Sequence, residues 1–304
     1  MYDEMHWPGD LFTRAEAAAL GIGTRELTRG VATGVIRRLA HGLYAATPRP
    51  PFAEDRHREL CAGLLLMYPD AVLAGRSSVV ALGLPTWGLR LSKALLHRPV
   101  HRQVNRSGAV IRPLDATDVV SSTATGPAQS PAAALVQVAF DHGTVAAVVS
   151  ADAAVARRVV SVDELTEVAV RRRGEPRSQR AAAMLSFLDP LSESPGETRL
   201  RVTLASHGFA VTSQIVVTDG STVVARADLG IDGTRVLIEF DGFVKYSDGG
   251  PEAVVREKLR EDRLRALGYV VLRFTWHDLE SPARVLAVVR AAVARDLADR
   301  HVAR

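Results

Sequence analysis

The sequence predicts an α+β multidomain chain, and three observations predict it. Proline-bearing breaks at Pro48–Pro51 and Asp189–Pro195 divide it into residues 1–50, 51–190 and 191–304. The first stretch reads as two short helices across a Gly-Ile-Gly break, followed by a basic hairpin. The last reads in the order α-β-β-β-α-β, and the middle alternates helical and strand-like runs as an α/β region.

The bulk numbers narrow the classes. The chain has 304 residues, 47% hydrophobic and 24% charged, as expected of a soluble globular protein with real cores. A single cysteine, Cys61, leaves no internal disulfide and points to a reducing compartment. The sequence shows neither an apolar run long enough for a bilayer nor a signal-peptide core, so a cytoplasmic protein with no membrane partner is expected. The formal charge of +4 is arginine-dominated and tolerates a polyanion partner.

In residues 1–50, Thr13 caps a first helix and Glu16 completes a capping-box spacing. Gly21-Ile22-Gly23 breaks that helix, and Thr24 is placed to cap a second one that ends at Gly34. A strand, a Gly42 turn and another strand follow. This is the layout of a winged helix-turn-helix. Arg25 and Arg29 are four apart and share a helix face, and Arg37, Arg38 and His41 decorate the wing. Two readings follow: the second helix enters a major groove with wing arginines on phosphate, or the domain binds protein and the arginines are solvated. The run LFTRAEAAALGIGTRELTRGVATGVIRRLAHGLYA resembles the N-terminal winged helix of AbiEi-type antitoxins of bacterial type IV toxin–antitoxin systems. The resemblance implies promoter DNA as a partner, autoregulation, and a toxin or other protein partner.

In residues 51–190, helices are expected over Phe52–Met67, from Pro131, over Val145–Ala156 and from Val162. Ala71–Leu84 reads as a strand into a helix, Leu95–Pro113 as β-rich, and the small polar stretch Thr123–Gln129 as a loop. His97, His101 and Asp115 are too irregularly spaced for a triad. Arg171, Arg172, Arg173, Arg177 and Arg180 form a basic run that reads equally as a solvated helix end or a phosphate track.

Residues 191–304 carry the chemistry. Asp232-Gly233 predicts a two-residue hairpin turn between Arg226–Ile231 and Thr234–Asp241. With Ile231 and Thr234 flanking the turn, Asp228 stands opposite Leu237 and Arg226 opposite Glu239. Asp228, Glu239 and Asp241 then share one face. Three carboxylates on a face suit a hard divalent cation, while an Arg226–Glu239 ion pair with solvated aspartates is the plainer alternative. Ser194 and Glu197 have capping-box spacing around Pro195, so Glu197 reads as a cap or as a further carboxylate for the metal. Lys258 and Asp262 are spaced for a helical ion pair.

Glu197, Asp228, Glu239-Phe240-Asp241-Gly242, EKLREDRLRALGY and VLRFTW resemble the very-short-patch-repair-endonuclease-like branch of the PD-(D/E)xK restriction-endonuclease-like superfamily. The resemblance implies an αβββαβ nuclease domain that hydrolyses phosphodiester bonds in DNA with Mg²⁺ or Mn²⁺. It assigns the metal to Asp228 and Glu239 with Glu197 assisting, and the shared strand face adds Asp241 as a candidate further oxygen. One departure stands out: the expected lysine two positions after Glu239 is Asp241, leaving Lys245 and Lys258 as candidates for that role. Arg226, Arg260 and Arg263 are candidates for positioning phosphate. An antitoxin-like regulator with an inert nuclease fold, and a protein-binding module, are the competing classes.

Overall fold

The computed structural model describes residues 6–115, 119–242 and 250–302. The chain forms two compact units, Met1–Ser186 and Phe187–Arg304. Both are mixed α/β, with three sheets among the described residues. None of the described helices is long and apolar enough to cross a membrane.

The first unit opens with β1 (Leu11–Thr13), α1 (Arg14–Ala19), α2 (Thr24–Ala32), β2 (Arg37–Ala40) and β3 (Leu43–Ala45), the strands paired in the order β1-β3-β2. The expected capping box closes: Thr13 Oγ1 accepts from the Glu16 amide at 3.2 Å, and Glu16 Oε2 accepts from the Thr13 amide at 2.7 Å. The cap of α2 differs from expectation. Gly23 takes that position, because the Thr24 hydroxyl is already engaged by Arg14 Nη2 at 2.8 Å. Gly42 turns the wing at φ +77°, a left-handed backbone that glycine reaches without strain.

Helix α3 (Ala53–Met67) then packs under the wing. Ala40 and Leu43 share one core with Leu60 and Leu64 and with Leu96 and Ile111 of the middle sheet. Gly63 makes the approach possible, since a Cβ there would lie 2.8 Å from Leu43 Cδ2. The Pro48–Pro51 stretch, expected to separate two domains, therefore lies inside a unit with a continuous core. Arg37 and Arg56 hold its carbonyls, at 3.2 Å for Pro48, 3.0 Å for Pro50 and 2.5 Å for Pro51.

Beyond α3 come β4 (Val72–Leu73), α4 (Arg76–Ala81), β5 (Ala94–Arg98), β6 (Val104–Arg106), β7 (Ala109–Pro113), β8 (Val120–Thr123) and β9 (Gly126–Gln129). They make a six-stranded mixed sheet in the order β6-β7-β5-β4-β9-β8. The stretch Thr123–Gln129 is thus the turn and second strand of a hairpin and not a loop. Parallel pairing of Leu73 with Ala128 recruits it, a tertiary effect that overrides its small polar composition. Helices α5 (Pro131–His142), α6 (Thr144–Ala156), α7 (Val162–Arg171) and α8 (Gln179–Ser186) complete the unit. His97 is buried in β5 while His101 and Asp115 are exposed. The basic run is largely absorbed locally. Arg172 pairs with Glu175 at 2.6 Å and covers the Phe140 ring, and Arg180 donates to the Phe140 carbonyl at 2.9 Å.

The second unit contains α9 (Pro195–Ala205), β10 (Val211–Asp219), β11 (Thr222–Ile231), β12 (Val236–Asp241), α10 (Gly250–Ala266), β13 (Val270–Thr275) and α11 (Pro282–Val302). The sheet runs β10-β11-β12-β13, antiparallel except for the parallel β12–β13 pair. One face buries Leu200, Leu229, Ile238 and Val285, and the other buries Ala227, Leu237 and Leu264.

The hairpin differs in register from the sequence expectation. Leu229 pairs with Ile238 and Gly230 with Leu237, a shift of two residues from the expected register. Ala227 and Leu229 lie in the cores on opposite faces, so the alternation of β11 breaks at Asp228. The cause of the shift is the turn: of its central residues only Gly233 has positive φ, and Asp232 accepts a hydrogen bond from the Thr212 hydroxyl at 2.7 Å. Thr234 then donates to the Ile231 carbonyl at 2.7 Å, and the loop lengthens by two residues.

Candidate DNA-contact surface and carboxylate cluster

The amphipathic spacing of α2 buries Leu27 and Gly30 and leaves Arg25 and Arg29 exposed on the helix surface. Arg38 is exposed at the wing, where its Nη2 lies 2.8 Å from His41 Nδ1. The wing tip is anchored, since the His41 amide donates to Ser107 Oγ at 3.0 Å in the β6–β7 turn. Arg37, grouped with these cations by sequence, does a different job. Its guanidinium grips Glu59 of α3 through two nitrogens, at 2.5 and 3.2 Å, and its Nε donates to the Thr47 carbonyl at 2.9 Å. A side chain with its donors so engaged is a strut between wing and helix, not a phosphate contact.

In the second unit, Glu197 enters from the first turn of α9 and is 7% exposed. Ser194 caps the helix, accepting from the Glu197 amide at 3.2 Å, but the reciprocal half of the box is displaced. Glu197 Oε2 accepts from the Glu193 amide at 2.9 Å, one residue before the cap. The same oxygen accepts from Gln214 Nε2 at 3.2 Å. Asp228 Oδ2 accepts from the Phe240 amide at 2.7 Å. Both carboxyls sit above their usual range. Burial is the main cause for each, opposed by the amide hydrogen bonds and reinforced by neighbouring carboxylates: Asp228 and Glu193 for Glu197, and Glu239, Glu193 and Asp241 for Asp228.

Glu239 is on the neighbouring strand, held in a fork by Arg260 at 2.8 and 3.0 Å and approached by Arg273 Nε at 3.2 Å. Arg260 is thus the counter-ion of Glu239. Arg226 pairs with Glu193 at 2.7 and 2.9 Å, not with Glu239, because the two-residue shift removes Glu239 from the position across the ladder. Arg263 pairs with Asp219 at 3.2 Å on the surface. Asp241 is exposed at the end of β12 and Lys258 is exposed on α10. Asp262, spaced to pair with Lys258, meets Arg265 at 3.4 Å. Lys245 lies outside the described residues.

Gln214 is the residue that sequence reasoning missed. It stands across from Asp228, between the pairs Ser213–Leu229 and Ile215–Ala227, with a left-handed φ of +56°. Such a backbone costs a non-glycine residue about 1–3 kcal/mol, and strain of this kind collects at functional sites. Its Oε1 is buried with no hydrogen-bond partner among the described residues. No periodicity announces it; the lone amide in an apolar strand is the only signal. Among the described residues, no three His, Cys, Asp or Glu side chains gather closely enough to hold a metal. Gln214 reaches Glu197 through its amide nitrogen, which leaves its oxygen without a partner among the described residues.

No curated protein matches the chain. Residues 6–47, which span α1, α2 and the wing, match the family described as transcriptional regulator, AbiEi antitoxin.

Proposed function

We propose that the chain is a DNA-binding transcriptional regulator of the antitoxin type. The observation that carries this reading is that the family match falls on the helix pair and wing, where α2 presents Arg25 and Arg29 at the surface. Both side chains, with Arg38, reach phosphate or base edges when α2 lies in a major groove. A toxin as protein partner belongs to the same reading. The test is binding of the full chain to duplex DNA by fluorescence anisotropy across a salt series. Arg25→Ala with Arg29→Ala weakens binding and flattens the log–log salt slope by about 1.8, at roughly 0.9 per lost phosphate contact. An unchanged slope refutes it.

One observation favours a second activity in the second unit, phosphodiester hydrolysis with Mg²⁺ or Mn²⁺. It is the crowding of buried Glu197 by the charge of Asp228, with Gln214 bonded to Glu197 through its nitrogen and its oxygen unpartnered among the described residues. A bound cation there supplies Lewis-acid stabilisation of phosphate charge and acidifies water. The chain's own residues hold the geometry. The Phe240 amide orients Asp228, Gln214 orients Glu197, and Arg260 holds Glu239 in place. Lys258, Lys245 and Asp241 are the remaining candidates for placing water. Calorimetric titration with Mn²⁺ tests this: saturable binding in wild type, lost in Asp228→Asn, supports it, and no binding at millimolar Mn²⁺ refutes it.

A further inference from the structure

A cavity of about 900 Å³ lies beside the wing in the first unit. Helix α3 lines one side of it, strand β2 a second, and residues 86–92 a third. Side-chain bonds tie both flanking segments to α3. Arg37 of β2 forks onto Glu59. Thr86 donates to Glu54 Oε1 at 2.6 Å, and the Leu91 carbonyl lies 2.7 Å from His57 Nδ1. The space is therefore built into the fold, and its size falls within the roughly 300–1,000 Å³ of small-molecule sites.

The lining divides by chemistry. Ile36, Leu60, Leu89 and Leu91 give it an apolar surface. The charged groups are Arg37, Arg38, Arg49 and Arg56 against Glu54 and Glu59, four cations to two anions. Buried His57 adds no charge at neutral pH, because desolvation lowers its pKa to about 4. Glu59 is taken by Arg37 and by the Thr47 hydroxyl at 3.1 Å. Arg56 Nη1 is held by the Pro50 and Pro51 carbonyls at 3.0 and 2.5 Å, which leaves its Nη2 without a partner among the described residues. Exposed Arg49 likewise meets no carboxylate among the described residues. An apolar surface and guanidinium donors with no counter-ion thus face one space.

We propose that this cavity binds a small amphipathic anion, a carboxylate or phosphate-monoester head on an apolar body. The head accepts charge-assisted hydrogen bonds from Arg49 and Arg56 Nη2. The body covers the leucines and leaves water, which supplies the rest of the affinity. A cation of the same shape meets the excess positive charge, and a bare anion leaves the apolar surface wet. Binding needs no DNA and is read without it, so its outcome is separate from that of the salt-slope experiment.

The test is a fluorescence titration of the full chain at constant ionic strength with 1-anilinonaphthalene-8-sulfonate, whose sulfonate stands in for the head and whose rings stand in for the body. Saturable one-to-one binding is expected. Decanoate and decyl phosphate should displace the probe, and the one that does so at lower concentration identifies the head group. Decyltrimethylammonium, with the same tail and opposite charge, and inorganic phosphate, with a head and no tail, should not. Arg49→Glu should weaken probe binding by more than about tenfold, the size of one lost hydrogen bond to a charged group. Ser92→Trp sets a ring into the cavity from an exposed position and should abolish binding. Circular dichroism and the urea midpoint report whether each variant is folded, and Arg49→Glu decides alone if Ser92→Trp is not. No saturable binding, no displacement by either decyl anion, displacement by the ammonium or by inorganic phosphate, or wild-type affinity in a folded variant overturns the proposal.

Discussion

Arg37 and Glu59 form a two-pronged ion pair, at 2.5 and 3.2 Å, that ties wing strand β2 to helix α3. Glu59 also accepts from the Thr47 hydroxyl at 3.1 Å, and the pair is shielded, with side-chain exposures of 23% and 11%. Arg37→Met is expected to cost about 2 kcal/mol of stability, in the range for hydrogen bonds to charged groups. It should leave the salt slope of DNA binding unchanged. Urea unfolding and the anisotropy series read the two effects separately, and a flattened slope in this variant contradicts the strut assignment.

The shared core makes a prediction about folding units. A fragment of residues 1–50 leaves Ala40 and Leu43 without Leu60 and Leu64, so it should be unfolded by circular dichroism, whereas 1–186 should fold cooperatively. Within the full chain, Leu43→Ala should cost about 2–5 kcal/mol, since it opens a cavity at a fully buried position. A well-folded 1–50 fragment is the contrary result.

His57 is buried, with Nδ1 at 2.7 Å from the Leu91 carbonyl and Nε2 at 3.0 Å from Ser77 Oγ. Burial depresses its pKa from 6.5 to about 4, with the Leu91 bond opposing and Arg76 assisting. Protonation is therefore easier in the unfolded chain. The stability this ring confers is fully present above pH 6.5 and is lost as pH falls toward 4, by about 3 kcal/mol over that window. Urea midpoints measured from pH 7.5 to 4.5 should fall in wild type and fall less in His57→Gln. Parallel profiles would exonerate His57.

Cys61 is buried, and burial pushes its thiol up to about 12, against a hydrogen bond with Ser77 and the charges of Arg76 and Arg58. A thiol this far from ionising is a poor nucleophile. Reaction with a thiol reagent at pH 8 should proceed only at the rate of unfolding and accelerate in denaturant. Fast, stoichiometric labelling of the native chain contradicts the buried placement.

Asp228 and Glu197 are held above their ordinary pKa values, chiefly by burial. For such acids the folded state favours the proton, so their contribution to stability falls as pH rises through the folded pKa. Asp228→Asn removes the ionised form and should raise the melting temperature at pH 7 without metal. It should also flatten the decline in stability above the carboxylate range. A variant less stable than wild type at every pH means that the Phe240 hydrogen bond outweighs the repulsion.

Much of the local structure was legible because it depends on groups a few residues apart. The Thr13–Glu16 box, Pro131 at the start of α5, the Gly42 turn and Gly268 at φ +83° after α10 are all set by short-range spacing and allowed backbone angles. The helix–helix–wing order and the αβββαβ order were legible for the same reason.

Only the tertiary structure decided the partners. Sequence places seven arginines as phosphate candidates, yet the fold spends four of them, Arg37 on Glu59, Arg226 on Glu193, Arg260 on Glu239 and Arg263 on Asp219. It turned a polar stretch into a turn and strand β9 by offering Leu73 as a neighbour, and it turned Gln214 toward Glu197 at the cost of a left-handed backbone. A guanidinium pairs with whichever carboxylate the packing brings within about 3 Å, and a strand forms where another strand leaves donors unpaired. Those distances span 22 residues for Arg37 and 33 for Arg226, beyond the reach of any periodic pattern in the chain.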